Sequence, residues 1–273
     1  MAFKLHTVWQ MDDKEVGKYW DNNADNWTKL ARMGYDRSRD LINSPAFFKM
    51  LPEISNLKGL DIGCGEGHNT RIAARKGAKL DAIDISKVFI KYAKETEEQE
   101  PLGINYHVAS AIKLPFPDNN FDFAIATMSL MDVVDNEKAI MEAYRIIKPG
   151  GFFQFSIIHP FVSNSDYRWI KNEEGRKIGF VIKDYFKRLN GELEEWIFGA
   201  APKDITEKMR KFRIPRFSRT LSEWLNLLIQ KGFILEEFCE PYADEDILKK
   251  HPKEYDSRII PYFLIIRCRK PFK

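Results

Sequence analysis

Cysteine is scarce in this chain: Cys64, Cys239 and Cys268 are the only three in 273 residues. Their odd number and wide spacing exclude a disulfide framework, and no Cys/His cluster has the spacing of a zinc site. The expectation is a metal-free protein held in a reducing compartment. Long apolar runs are missing too. No stretch approaches the roughly 18–20 apolar residues of a membrane span, and residues 1–10 lack the apolar core of a secretory signal. Both absences point to the cytoplasm. Nor does charge of one sign dominate. Lys and Arg number 43 against 40 Asp and Glu, a net +3, which is no argument for nucleic acid without a concentrated basic surface. What is present is 44% hydrophobic and 13% aromatic residues, enough for a sizeable core and too many for a disordered chain.

The pattern along the chain divides it into four parts, and its length fits one large α/β domain with an insertion or two small domains. Residues 1–56 read as a helical lead-in, with Val16, Tyr19, Trp20, Ala24 and Trp27 near helical spacing. Ser44 and Pro45 read as the cap and first turn of a further helix. Over residues 57–158, strands at 57–62, 79–85, 104–108, 121–127 and 152–158 alternate with helices at 69–76, 87–98 and 137–147. Lys148-Pro149-Gly150-Gly151 reads as a turn before the last of these strands. That rhythm indicates βαβ units and a parallel sheet. Residues 159–215 break it, are rich in charge and aromatics, show no clean strand, and read as an inserted helical cap. Residues 216–273 supply a helix at 218–230, capped by Ser218 or Thr220, and two strands that complete the sheet.

The strongest motif is Leu60-Asp61-Ile62-Gly63-Cys64-Gly65-Glu66-Gly67, at the junction of the first strand and first helix. Glycines there allow a tight turn and close approach to a ligand. The spacing is G-x-G-x-G, with His68 where a dinucleotide site has its third glycine, and no Lys-Ser/Thr pair follows as in a phosphate loop. The loop therefore suits a nucleoside-like ligand that need not bear phosphate. Asp84 closes the second strand, where a carboxylate accepts from both hydroxyls of a ribose.

Together with Ala82-Ile83-Asp84-Ile85-Ser86, Leu114-Pro115-Phe116-Pro117-Asp118-Asn119-Asn120-Phe121-Asp122 and Lys148-Pro149-Gly150-Gly151, this loop makes the chain resemble a class I S-adenosylmethionine-dependent methyltransferase. The similarity is to the small-molecule group that includes ubiquinone and menaquinone biosynthesis enzymes, and it is specific over residues 57–158. The resemblance implies a Rossmann-like, mostly parallel sheet of seven strands, order 3-2-1-4-5-7-6, with the last strand antiparallel. It implies S-adenosylmethionine as cofactor and S-adenosylhomocysteine as product. Gly63, Cys64 and Gly65 would meet the methionine end, and Asp61 would favour its ammonium. Asp84 would take the ribose and Ile85 would pack on the adenine. Ser110 and Ala111 would lie at the adenine edge, and Thr127, Met128 and Ser129 along the cofactor. The family often has an acid at the position of Ser110; serine is shorter, uncharged and both donor and acceptor. Around Tyr19 and Trp27 the lead-in resembles a segment that closes over the cofactor.

Methyl transfer is an in-line displacement that needs positioning more than a catalytic dyad. His159, after the fifth strand, is the leading candidate for a general base, the alternative being a strand-end cap or a contact to the cofactor tail. Asp132, after the fourth strand, is a second candidate that could orient the acceptor or His159, or instead cap the next helix. Tyr167, Trp169 and Trp196 stand among many aromatics in the insertion and suggest a hydrophobic, planar acceptor. Lys208, Arg210, Lys211, Arg213, Arg216 and Arg219 form a run without acids, read as a solvated face. The expected partner is a small molecule, the expected state a monomer or homodimer, and nucleic acid is not expected. The alternatives are an RNA or protein methyltransferase, or a non-catalytic S-adenosylmethionine-binding regulatory protein.

Overall fold

In the computed structural model, which describes residues 11–163 and 166–272, helix α1 (Asp13–Arg32) opens the chain; residues 1–10 of the expected lead-in lie outside the described residues. Asp12 and Glu15 form a reciprocal capping box at its start. Then come α2 (Ser44–Met50), β1 (Lys58–Ile62), α3 (His68–Arg75), β2 (Lys79–Asp84), α4 (Lys87–Gln99), β3 (Asn105–Val108), β4 (Phe121–Thr127), α5 (Asn136–Ile146) and β5 (Ile147–Ile158). The insertion follows as α6 (Pro160–Ser163), β6 (Asp166–Lys171), β7 (Lys177–Lys183), β8 (Asn190–Trp196), α7 (Lys203–Thr206) and β9 (Phe212–Phe217). The chain ends with α8 (Leu221–Gln230), β10 (Ile234–Cys239), α9 (Glu245–Lys250) and β11 (Phe263–Arg269).

One seven-stranded sheet runs β10-β11-β5-β4-β1-β2-β3. β11 lies antiparallel to both neighbours, and the other pairings are parallel. Counting only sheet strands, this is the order 3-2-1-4-5-7-6 expected above. Strand β4 shows why the centre is apolar on both faces. Ala124 and Ala126 face a core shared with α5 and α8, while Phe123 and Ile125 face another shared with α2, α3 and α4. Helices on both faces leave a parallel strand no solvated side.

Three local expectations change. Ser44 does not cap α2: Asn43 before it is already helical, because a π-helical turn, Arg39–Asn43, leads straight into α2. The Ser44 hydroxyl instead donates to Asn69 Oδ1 at 2.8 Å. Residues 148–151 are part of β5 rather than a free turn, since Gly150 N–H donates to Lys270 O and Lys270 N–H to Gly151 O, both at 2.9 Å. The insertion does carry two short helices, α6 and α7, but most of it is strand. β6 pairs with β7 and β8 with β9 in antiparallel hairpins.

Helix α1 crosses from the sheet to the insertion. On one side Asp21 Oδ1 accepts from Ser86 Oγ at 2.9 Å, beside the start of α4. On the other side Asn23 acts as a strand's backbone would: its Nδ2 donates to Arg213 O at 2.8 Å and its Oδ1 accepts from Arg213 N–H at 3.0 Å. Leu30 and Ala31 pack with Phe198, Phe212 and Ile214 in a separate small core, against which Trp27 and Trp196 also lie.

Candidate active site

The strand tips, α1 and the insertion enclose a cavity of about 910 Å³. Its floor is the glycine loop. Gly63 and Cys64 both donate backbone N–H to Ile83 O, at 2.8 and 2.9 Å, which lashes the loop to the end of β2. Gly63 has φ +77°, and a Cβ there would collide with the Ser129 side chain, whose Oγ donates to Ile62 O at 2.6 Å. Gly65, at φ +57°, has nothing within 4 Å of where its Cβ would be. Glycine thus serves the first position by tight packing and the second by leaving an open, left-handed surface for a ligand.

Asp84 faces this loop. Its Oδ2 accepts from Gly65 N–H and its Oδ1 from Ser86 N–H, each at 2.8 Å. Burial raises its pKa to about 6 against those bonds. Each oxygen retains a lone pair for a further donor. Ile85, Ala109 and Ala111 continue the wall beyond it. At the opposite side Arg39, Asn43, His68 and Asn69 supply polar groups. Arg39 is paired with Asp40 at 2.7 Å and Asp36 at 3.7 Å, and burial lowers the pKa of His68.

The end of β4 turns abruptly. Met128 takes φ +56°, uncommon for a residue with a side chain and often found at functional sites. Its N–H donates to Ser156 O at 2.9 Å. A single 3₁₀ turn, Leu130–Asp132, follows. It presents Asp132 to the cavity with 6% of the residue exposed. Asp132 Oδ1 has no hydrogen-bond partner among the described residues. Burial lifts this carboxyl to a pKa of about 7, the nearby Arg216 guanidinium opposing the rise and Glu194 adding to it. Arg216 is buried and pairs with Glu194 at 3.0 Å.

A protein family described as a methyltransferase domain matches residues 60–155. The ubiquinone biosynthesis O-methyltransferase of Coxiella burnetii is 33% identical over 152 residues, 55% of this chain and 63% of that protein. The chain thus spans 63% of the length of that relative. The ubiquinone/menaquinone biosynthesis C-methyltransferase UbiE of Rickettsia bellii is 28% identical over 198 residues, 66% of this chain and 77% of that one. Among solved structures, an S-adenosylmethionine-dependent methyltransferase from Mesorhizobium loti superposes with a TM-score of 0.66 at 28% identity, covering 82% of this chain and 96% of its own. The chain carries the class I S-adenosylmethionine-dependent methyltransferase fold. It is homologous to the ubiquinone and menaquinone methyltransferases at modest identity. The fold alone does not fix the reaction: the [4+2]-cyclase SpnF shares it with a TM-score of 0.64 at 17% identity, covering 97% of this chain and 98% of its own.

Of the residues singled out by sequence, Gly63, Cys64, Gly65, Asp84, Ile85, Ala111, Thr127, Met128, Ser129 and Asp132 all line this one cavity, as do Trp27, Tyr167 and Trp196. Five others stand off its wall. Asp61 lies buried behind the loop, its Oδ2 accepting from Thr70 Oγ1 at 2.6 Å, and burial raises it to about 7. Ser110 lies behind Ala109 and Ala111, its Oγ accepting from Ile112 N–H at 3.2 Å. Tyr19 sits under the Arg213 guanidinium. Trp169 packs edge-on to Phe180, with Lys177 over its ring. His159 is turned away: its Nδ1 accepts from Phe161 N–H at 3.1 Å and its Nε2 lies 3.0 Å from Glu240, while burial lowers its pKa. Sequence reasoning missed Glu66, which is on the wall and held by Arg32 of α1 at 3.0 Å and Arg71 at 3.1 Å. It missed Arg39 and Asn43 as well, because a π-helical turn leaves no periodic signal.

Proposed function

We propose that this protein transfers the methyl group of S-adenosylmethionine to a small-molecule acceptor, with Asp132 receiving the acceptor's proton. One observation carries the reading: Asp84, aimed by two backbone N–H groups, and Asp132, with an unpartnered buried oxygen, open into the same cavity. The residues present fit the cofactor. Asp84 has acceptor capacity for a ribose, Gly65 has an open face for an amino-acid tail, and Arg39 and Asn69 are polar partners for the tail's charged ends. When bound, S-adenosylmethionine supplies a methyl carbon on a sulfonium, which a lone pair of the acceptor takes as the thioether departs.

The chain's own residues do the rest. Trp27, Trp196 and Phe198 give the insertion side of the cavity an aromatic lining suited to a flat, apolar acceptor. At about 910 Å³, the cavity is near the top of the roughly 300–1,000 Å³ range of small-molecule sites, which favours a small acceptor over a macromolecule. Asp132 takes the proton of an acceptor hydroxyl or N–H on its carboxylate, at the side that lines the cavity. A base with a pKa near neutrality is well matched to that task. Arg216 limits how far burial shifts Asp132, so that part of it is ionised at pH 7.

The test uses a library of phenols, amines and aliphatic alcohols, with formation of S-adenosylhomocysteine as readout. For an acceptor so found, the rate rises with pH through about 7, as Asp132 becomes the carboxylate that accepts the proton. Asp132→Asn lowers kcat by about 10²–10⁴-fold and flattens that limb. An unchanged pH profile in the variant would remove Asp132 as the base.

A further inference from the structure

The far end of the cavity, beyond Asp84, is built by two elements distant in sequence. The sheet edge provides Ile85, Ala109 and Ala111; α1 provides Asp13, Val16 and Trp20. The latter three are spaced by three and four residues and so share one helix face. Gly17 lets that face come close, since a Cβ there would lie 3.2 Å from Ile85 Cγ1. Of these six wall residues only Asp13 is charged.

Burial raises the Asp13 pKa, the effect of an apolar wall around a carboxylate, and the neighbouring Ser110 side chain opposes the rise. The Ser110 Oγ itself accepts from Ile112 N–H at 3.2 Å. A ligand whose ribose sits at Asp84 and whose amino-acid tail runs to the glycine loop sends its base the other way, toward residues 109–111. There it meets apolar faces above and below and one acceptor at its edge.

We infer that Asp13 accepts a hydrogen bond from the exocyclic amino group of the adenine, so that the N-terminal helix forms part of the cofactor site and distinguishes an amino from an oxo substituent on the base. This rests on the cofactor reading proposed above. A carboxylate offers acceptors only, so a base with oxygen at that position sets acceptor against acceptor.

Titration calorimetry of the full chain with S-adenosylhomocysteine and S-inosylhomocysteine tests it. The wild type prefers the adenosyl compound by about tenfold or more, the value of a hydrogen bond to a charged group. Asp13→Ala lowers affinity for the adenosyl compound by a similar factor and leaves the inosyl compound unchanged or tighter, so the preference collapses. Asp13→Asn, whose amide both donates and accepts, narrows the preference by improving the inosyl compound. A preference that persists in both variants overturns the inference. So does an equal loss for both ligands, the signature of a helix merely detached from the wall. A wild type that binds neither compound removes the cofactor reading and this inference with it.

Discussion

Both oxygens of Asp84 already accept backbone N–H groups, from Gly65 and Ser86, so the glycine loop and the turn into α4 orient the carboxylate without a ligand. Asp84→Ala removes the acceptor and the restraint together, and S-adenosylhomocysteine affinity falls by about tenfold or more, taking one charge-assisted bond as the minimum loss. The sign of the pH effect follows from the pKa of about 6. The ionised form accepts from the ribose, so affinity declines as pH falls through 6, and calorimetry at pH 8 and pH 5 reads the difference in the wild type and not in the variant. Asp84 was legible in the sequence because a strand end followed by a capping serine fixes its position locally. His159 was misleading for the opposite reason. Its place after β5 was evident, but its direction depends on α6 and on Glu240, which is 81 residues further on. Asp132 was legible as a candidate base or cap; the structure assigns the cap of α5 to Asp135, which accepts from Lys138 N–H. Glu66 stood inside the glycine motif but without a role, since its arginine partners are brought to it only by the fold.

The β8–β9 hairpin shows how an element can hide. In β8 most side chains are exposed, so the period-two alternation that marks a half-buried strand is absent. What builds the strand is its partner. Glu194 pairs with Arg216 and Glu195 with Arg213, both at 3.0 Å, so two residues of the basic run read as a solvated face are matched by acids across the hairpin. The strands of the main sheet other than β5, which begins at Ile147 and not at Phe152, were read to within a residue or two because apolar runs and glycine stops coincide there. The free edge of β9 depends on α1: Asn23 satisfies both backbone groups of Arg213. Asn23→Ala therefore leaves a part-buried donor and acceptor unpaired, a loss of about 1–3 kcal/mol in denaturant unfolding. Hydrogen exchange should quicken at the Arg213 amide, and unchanged protection there would show that other contacts hold α1 to the insertion.

The molecule as a whole joins these parts through one cavity, so ligand binding should be felt globally. A ligand held at 100 times its Kd stabilises the folded state by about 2.7 kcal/mol. For a chain of this size that corresponds to a Tm rise of about 5–11 °C. Thermal unfolding with saturating S-adenosylhomocysteine measures it, and at the same ligand concentration the rise should shrink to about half or less in Asp84→Ala. The placement of β11 has a further consequence, for synthesis. This strand parts β10 from β5, yet the ribosome makes it after both. Until Phe263–Arg269 emerges, the nascent chain carries a bare lengthwise margin on β5, including the backbone of Phe153 and Phe155. Such a margin is a template for pairing with other chains. Of the strands in this sheet, the one translated last is thus the one that seals it, and a ribosome stalled short of it would leave that flank adhesive.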